Sequence, residues 1–480
     1  MRIFLILILS FFIAQCFLLT WILPLVIIGF GLYLWFLVKS PEIGLFMAFL
    51  VIIDCFSMLS ENLMWLPTLY RIRDIFFITS FIPLFIGLSQ NDKRIKEVFG
   101  GPLAKCIYAI IVLTIAQMFI TKIRFNDESF NSIIRIGRKY LYYAMYFPAV
   151  FVLLDEARLK RFVKLFVITT AVFCLLYISQ FFVGPSHRIF VWGRVEWQNL
   201  QGFNVTRMYI PGVLFATLLF HVCFAIFLFN NKIKSKFLNS LLMSIAGIQT
   251  LLTFGRAHIF GVVTGSLFSS LFSKGLNKKK ALLKVSLIGV FIVFGIFIYS
   301  LFHSYYKKTN FFQAVSARIY STYEAISKKQ DTFGFRLRDS AGRIELIKNN
   351  PLLGVGFVHD ESRLFSMERG FNRAIRTTDS GIITLLLDFG LLGAGWLFFV
   401  SFVFLKSARK VLKSSSNELH RSIMLGILAF YFGRVFSFIT LADFVTYDGI
   451  IAIVLAFVFT KVLNCNSKFA YGFINNHSQL

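Results

Sequence analysis

Arginine side chains mark several places in this sequence where chemistry on an anion could occur. Arg207 and Arg256 stand at the borders of long apolar segments, and Arg343 lies in a polar stretch over residues 300–379. A guanidinium group stays charged and binds phosphate oxygens through two parallel hydrogen bonds. Together these side chains could hold an anion with more than one phosphate group. Arg207 and Arg256 could equally be arginines at helix ends that extend their charge into water.

The polar stretch carries Arg343, a short amphipathic segment, and then Pro-Leu-Leu-Gly-Val-Gly at residues 351–356. The apolar spacing after Arg343 predicts a short helix, which must end before Pro351 because a residue preceding proline avoids the α conformation. Gly354 and Gly356 permit a backbone turn whose N–H groups could bind an anion beside the arginine. An ordinary helix, turn and loop remains the alternative interpretation.

An acidic candidate, Asp379, lies where the polar stretch gives way to the next apolar segment, beside Ser380 and Gly381. A carboxylate that faces a binding cavity could accept a proton from a reacting hydroxyl group. A carboxylate at this place could instead cap the N-terminus of the helix that follows. The sequence leaves both roles open.

Composition predicts an all-α polytopic membrane protein. The chain has 480 residues, of which 57% are hydrophobic and 15% charged, and its mean hydropathy is +0.73. Apolar runs long enough to cross a bilayer recur along the whole sequence, and we predict about 14 membrane helices. No zinc-type or nucleotide-binding motif occurs, so neither a metal nor a cofactor is expected. The approximate spans are 3–19, 21–38, 43–59, 73–89, 102–121, 139–154, 162–183, 208–230, 236–253, 256–273, 281–302, 380–405, 422–440 and 446–463.

The net charge of +27 would indicate nucleic acid in a soluble protein. Here many of the basic residues fall in alternate connections between spans, which indicates orientation in a membrane rather than nucleic-acid binding. This pattern predicts cytoplasmic termini and a periplasmic loop over residues 300–379. We therefore divide the chain into N-terminal membrane helices (1–299), this loop, and C-terminal membrane helices (380–480), all within one integrated domain.

Three blocks of this sequence resemble the shared core of bacterial O-antigen polymerases (Wzy) and O-antigen ligases. They are Thr253–Ala257, then Arg343–Gly356, then Thr377–Gly393, which ends in Gly-Leu-Leu-Gly. The spacing of the arginine from the first glycine of the second block is also similar to that of the polymerases. The resemblance covers roughly residues 200–400. It departs from the family at Gly255, where family members carry serine.

The resemblance implies a metal-independent glycosyltransferase of inner-membrane polysaccharide biosynthesis, with a fold like that of the class C membrane glycosyltransferases. Its donor would be an O-antigen, capsule or exopolysaccharide unit on undecaprenyl diphosphate at the periplasmic face. Membrane lipid, a chain-length regulator and a flippase are the partners it implies. On this basis we assign Arg256, Arg343 and Asp379 as catalytic and Arg207, Gly354 and Gly356 as substrate-binding.

The acceptor side separates two members of this superfamily. Ligases of the family typically carry a histidine-asparagine pair just before the helix that follows the loop. Residues 377–381 read Thr-Thr-Asp-Ser-Gly, and the nearest histidine, His359, lies far upstream. We therefore predict a polymerase of lipid-linked repeat units for lipopolysaccharide or a related surface glycan. A ligase, and a polysaccharide transporter or flippase, are the alternatives.

Overall fold

The structure is a computed structural model. It describes residues 22–55, 57, 72–190, 193–200, 203–229, 236–253, 256–271, 343–358, 380–415, 418–439 and 441–465.

Helices make up most of the described chain, as composition predicts. Six helical segments in this part are long and apolar enough to cross a membrane: Ile72–Ser89, Pro102–Arg124, Glu156–Val183, Gly381–Ser414, Glu418–Ser437 and Tyr447–Cys465. The predicted spans 3–19 and 281–302 lie outside the described residues, so the total of 14 stays a prediction. The helices are α1 (Ile22–Lys39), α2 (Pro41–Ile53), α3 (Ile72–Thr79), α4 (Ile82–Ser89), α5 (Arg94–Phe99), α6 (Pro102–Arg124), α7 (Phe130–Gly137), a 3₁₀ helix (Arg138–Met145), α8 (Tyr146–Leu153), α9 (Glu156–Val183), α10 (Val213–Phe229), α11 (Lys236–Leu252), α12 (Arg256–Leu271), α13 (343–349), α14 (Gly381–Ser414), α15 (Glu418–Ser437), a short 3₁₀ helix (Asp443–Val445) and α16 (Tyr447–Cys465).

A β-hairpin precedes α10, in the connection between the predicted spans 162–183 and 208–230. Strands β1 (Arg194–Leu200) and β2 (Phe203–Tyr209) pair antiparallel, and Arg207 lies opposite Glu196. The prediction that Arg207 begins a membrane helix was therefore wrong. Val195 and Met208 are buried while Tyr209 is exposed, an alternation with the period of two that a half-buried strand requires. The helix starts after this strand, at Val213.

Helix α16 forms the centre of the bundle. Residues 450–458 have no exposed surface at all, and the helix packs against α2, α8, α10, α14 and α15. A helix that is apolar on every side needs neighbours all round it. N-terminal and C-terminal helices therefore share one core in the described part of the chain.

The two ends of this bundle differ in what they carry. At one end, Arg161 pairs with Glu42 at 3.1 Å and Lys461 pairs with Glu97 at 3.2 Å, close to several of the basic connections. At the other end α6 and α15 finish, α12, α14 and α16 begin, and the segment 343–358 is seated. We call this second end the motif end, because the blocks of the family resemblance that the structure describes lie there.

Helix α14 is broken at Gly390, which has φ 60° and ψ −148° inside an otherwise helical run. The break frees backbone groups that the helix would otherwise satisfy, and residues 351–356 satisfy them. The N–H groups of Leu391 and Leu392 donate to Pro351 O (2.8 Å) and Leu352 O (3.3 Å). In return Leu387 O accepts from Val355 N (2.8 Å) and Gly356 N (3.0 Å). The second and third family blocks are thus joined backbone to backbone.

Gly354 and Gly390 make this junction possible. A Cβ atom on Gly390 would lie 2.5 Å from Gly354 N, and one on Gly354 would lie 2.7 Å from Gly390 N. Both residues also have positive φ angles, 69° and 60°. Side chains at either place would separate the two backbones, so the junction requires glycine on both sides.

The junction lies well below the end of α14. Gly390 is nine residues from Gly381, about 13 Å along the axis at the helical rise. The segment 350–358 therefore enters the bundle instead of staying outside it. Irregular backbone at such depth is tolerated in a membrane only where protein or a water-filled cavity satisfies it.

Replacing Gly390 with alanine should destabilise the protein by about 3 kcal/mol, because the new Cβ meets backbone atoms in a conformation that L-residues avoid. Gly395→Ala is the matched control, since a Cβ there meets nothing within 4 Å and alanine favours helix by up to about 1 kcal/mol. Thermal unfolding of the purified protein in detergent measures both changes. Equal melting temperatures for Gly390→Ala and the wild type would show that the junction does not stabilise the fold.

Candidate functional site

Arg343 lies at the start of α13, and its side chain is buried, with 1% of its surface exposed. The helix that carries it ends at Asn349, and Asn350 and Pro351 follow, as the sequence predicted. Leu346 and Ile347 pack on the buried cluster of Val355, Val358 and Leu387. The charge of Arg343 thus sits in the interior, where its attraction for an anion is much stronger than in water.

The N–H groups of Gly354 and Gly356, which the sequence interpretation offered to an anion, donate to carbonyl groups of the protein. Gly354 N donates to Asn350 O at 2.9 Å, and Gly356 N donates to Leu387 O at 3.0 Å. Each backbone N–H group is therefore engaged by a carbonyl group of the protein itself. The two glycines allow close backbone approach here, and a direct role of theirs in substrate binding stays a prediction.

The other predicted site residues are placed less completely. Arg256 is the first residue of α12, at the motif end, and Arg207 lies on β2; the side chains of both fall outside the described part of the chain. Asp379 lies outside the described residues. The N-cap position of α14 belongs to Ser380, and both roles considered for Asp379 stay predictions.

A buried arginine on α15 contacts the first turn of α12. Arg434 has no exposed surface, and its Nη1 lies 3.1 Å from His258 Nδ1 and 3.4 Å from Asp443 Oδ2. Its Nη2 donates to the backbone oxygen of His258 at 3.5 Å. His258 stands two residues after Arg256, so Arg434 fixes the first turn of α12, which carries Arg256.

The 3₁₀ helix between α7 and α8 connects the junction to the rest of the motif end. Asp388, two residues before the break in α14, accepts a hydrogen bond from Tyr140 Oη at 2.6 Å and pairs with Lys139 Nζ at 3.4 Å. The ring of Tyr140 also packs against Phe357 and Phe389. Tyr140 therefore contacts the third family block through Phe389 and the residue that follows the second block, Phe357.

A second buried ion pair lies on the same 3₁₀ helix. Arg138 Nη1 meets Asp74 Oδ2 at 2.5 Å, and Tyr142 Oη donates to Asp74 Oδ1 at 2.7 Å. The side chain of Arg73 lies over the ring of Tyr447, at 5.2 Å from its centroid. Consecutive residues of a 3₁₀ helix diverge by about 120°, which lets Arg138 and Lys139 reach carboxylates on different helices.

The sequence interpretation did not identify the buried charges of these ion pairs, although their place inside apolar runs could have indicated them. Asp388 and Arg434 each interrupt an apolar run, and ionisable residues inside membrane spans usually have a partner and a function. The partners come from distant parts of the chain, which spacing alone does not reveal. Among the described residues, no group of three or more His, Cys, Asp or Glu side chains could hold a metal ion.

A family model matches the part of the chain that contains the three sequence blocks. Residues 238–398 match a family model described as O-antigen ligase, which supports the superfamily that the sequence blocks predicted. The matched range contains α12, α13 and the junction at Gly390, whereas α6, the 3₁₀ helix after α7 and Arg434 lie outside it. No curated protein matches the chain.

Stability should depend on the protonation of Asp443, which lies between α15 and α16. Burial raises the pKa of this carboxyl from 3.8 to about 6, although the guanidinium of Arg434 opposes the shift. Between these two pH values the folded chain holds a proton that the unfolded chain has lost. The contribution of Asp443 to stability is therefore full below about pH 4 and falls as pH rises towards 6.

Asp443→Asn removes this titration, so the difference in melting temperature between variant and wild type should change across that pH range and be constant above it. Melting of both proteins in detergent from pH 4 to 8 measures the difference. A difference that stays constant over the whole range would contradict the assignment.

Proposed function

We propose that this protein is a glycosyltransferase that polymerises glycan repeat units carried on undecaprenyl diphosphate. The observation that carries the proposal is the backbone junction between two family blocks, one of which carries the buried Arg343. The family match supports a lipid-linked glycan as the substrate. The membrane-crossing helices support a reaction at the membrane, where such a lipid resides.

In the proposed reaction the arginines act on the leaving group. Arg343, with Arg256 and Arg207, would bind the diphosphate of the donor and stabilise the negative charge that grows on it. A hydroxyl group of the acceptor attacks the anomeric carbon, and the bond from this carbon to the diphosphate oxygen breaks. The hydroxyl proton passes to a base, for which Asp379 is the candidate. Undecaprenyl diphosphate leaves, and the acceptor has gained one glycosidic bond.

The choice of acceptor distinguishes polymerase from ligase. Family membership supports both, and the matched model carries the ligase description. The polymerase proposal depends on residues 377–381, where the sequence Thr-Thr-Asp-Ser-Gly has no histidine-asparagine pair. The acceptor would then be the end of another lipid-linked glycan. A ligase that transfers finished glycan to a different acceptor is the second candidate.

The proposal places the protein in the bacterial inner membrane with about 14 spans, a fold like that of class C glycosyltransferases, and the motif end at the periplasmic face. Basic residues at the opposite end favour this orientation, because cytoplasmic connections are enriched in lysine and arginine. A flippase would supply the donor at that face, and a chain-length regulator is the further partner the resemblance implies.

Deleting the gene in its own host should leave surface glycan as a single repeat unit on its terminal acceptor, as sized by gel electrophoresis. Complementation with Arg343→Lys should restore polymer at about a tenth of the wild-type amount or less, because lysine keeps the charge and loses the planar fork. Lys348→Gln is the control, since Lys348 is an exposed cation on the same helix and should restore normal polymer.

Other patterns would overturn the proposal. Long polymer that accumulates on undecaprenyl diphosphate would identify a ligase. Repeat units that accumulate at the cytoplasmic face would identify a transporter. Normal polymer from Arg343→Lys, at normal expression, would remove this arginine from the reaction.

Orientation can be tested with single cysteines at two exposed positions. Asp127→Cys lies beyond the end of α6 at the motif end, and Gln90→Cys lies beyond the end of α4 at the opposite end. A membrane-impermeant thiol reagent should label the first in cells with a permeabilised outer membrane, and the second only after lysis. The reverse result would place the motif end in the cytoplasm.

A further inference from the structure

Helix α6 presents a polar face to the segment that follows Arg343. Gln117, Thr121 and Arg124 are spaced by four and three residues, so they lie on one side of the helix. This helix lies outside the residues that match the family model. An apolar membrane helix with a row of such side chains requires a partner that uses them.

All these side chains bind the backbone of the segment 350–357. Gln117 Nε2 donates to Leu353 O at 2.8 Å. The hydroxyl group of Thr121 accepts from Phe357 N at 3.1 Å while it donates to Gln117 O of its own helix at 2.7 Å. The bonded backbone groups, Leu353 O and Phe357 N, lie on either side of the glycine turn in sequence.

Arg124 spans the turn that ends α13. Its Nη1 donates to Gly354 O at 3.0 Å, and its Nη2 donates to the side-chain oxygen of Asn350. One guanidinium group therefore fixes the start and the end of the turn between α13 and the junction. A lysine could not make both bonds with the same geometry.

The close approach of α6 depends on Gly356. A Cβ atom there would meet the hydroxyl group of Thr121, and Gly356 also has a positive φ of 96°, so a side chain at this place would displace that hydroxyl group from the turn. Gly356 thus leaves room for the side chains of α6, whereas Gly390 leaves room for the backbone of residues 351–354. The segment 350–357 is therefore clamped by hydrogen bonds to both the broken helix and the polar face of α6.

We propose that Gln117, Thr121 and Arg124 are positioning residues, which hold α13 so that Arg343 meets the diphosphate of the donor. This inference depends on the proposed function, because it assigns the purpose of the clamp to the ligand of Arg343. None of the three needs to contact the substrate. They act through the turn that fixes the C-terminal end of α13.

The test measures binding of undecaprenyl diphosphate to the full-length protein purified in detergent. Thr121→Val removes the hydroxyl group that Phe357 N uses and keeps the shape of the side chain. We expect its dissociation constant to rise about tenfold, which corresponds to the loss of roughly one hydrogen bond. Thr121→Ser keeps both bonds and should bind like the wild type.

Thr114→Val is the matched control on the same helix. Thr114 is buried, and its hydroxyl group donates to Ile110 O of α6 itself. The same chemical change there should leave binding unchanged. A tenfold loss in Thr114→Val as well would mean that any change in α6 disturbs the protein, and this would overturn the proposal.

A double-mutant cycle separates positioning from general support of the fold. If α6 acts through Arg343, adding Thr121→Val to Arg343→Gln should cause no further loss of binding, because the group being positioned is absent. Additive losses would overturn the inference. Where Thr121→Val fails to purify as a folded protein, Arg124→Lys enters the same cycle with the same expectation.

Failure of the proposed function would look different. If Arg343→Gln binds undecaprenyl diphosphate as tightly as the wild type, or the wild type does not bind it, then Arg343 does not hold this diphosphate and both proposals fall. If Arg343→Gln loses binding while Thr121→Val and Arg124→Lys keep it, the function stands and the positioning role is wrong.

Discussion

The contact between Gly354 and Gly390 is the constraint on which the motif end depends. A helix that breaks inside a membrane exposes carbonyl and N–H groups, and each costs several kcal/mol if it stays unsatisfied there. The segment 351–356 supplies the matching groups, but only if the two backbones approach within hydrogen-bond distance. This approach requires the absence of a Cβ on both sides. The break in α14 and the inserted turn therefore depend on each other, because each satisfies the backbone groups of the other.

Buried charges at the motif end follow the same logic of mutual satisfaction. Asp388 is paired with Lys139, Asp74 with Arg138, and Arg434 with Asp443. Ion pairs of this kind add little net stability, because desolvation offsets the attraction between the charges. Their effect is to specify which helices meet, since a mispaired partner would leave a buried charge alone.

The sequence predicts most of the helices, but it does not predict the hairpin or the contact between Gly354 and Gly390. Long apolar runs with basic connections predict the helices, and proline after Asn350 predicts the end of α13. The hairpin at Arg194–Tyr209 was missed because most of it lies in the connection between the predicted spans 162–183 and 208–230, and a search for long apolar runs does not detect short strands. A two-residue connection containing Gly202, between alternating segments, is the hairpin pattern that could have revealed it. The pairing of Gly354 with Gly390 could not be read from one chain, because nothing local indicates which backbone a glycine will approach.

The junction also gives a physical reason for the spacing between Arg343 and Gly354. Gly354 is fixed against α14, and Arg124 fixes the turn before it. Helix α13, which has about two turns, therefore has a fixed C-terminal end and carries Arg343 at its N-terminal end. Adding or removing one residue in α13 would rotate Arg343 by about 100° around the helix axis and shift it by about 1.5 Å. If Arg343 binds the diphosphate as proposed, such a rotation would turn its guanidinium group away from the ligand. The position of Gly354 against α14 therefore determines, through the length of α13, the direction in which the Arg343 side chain points.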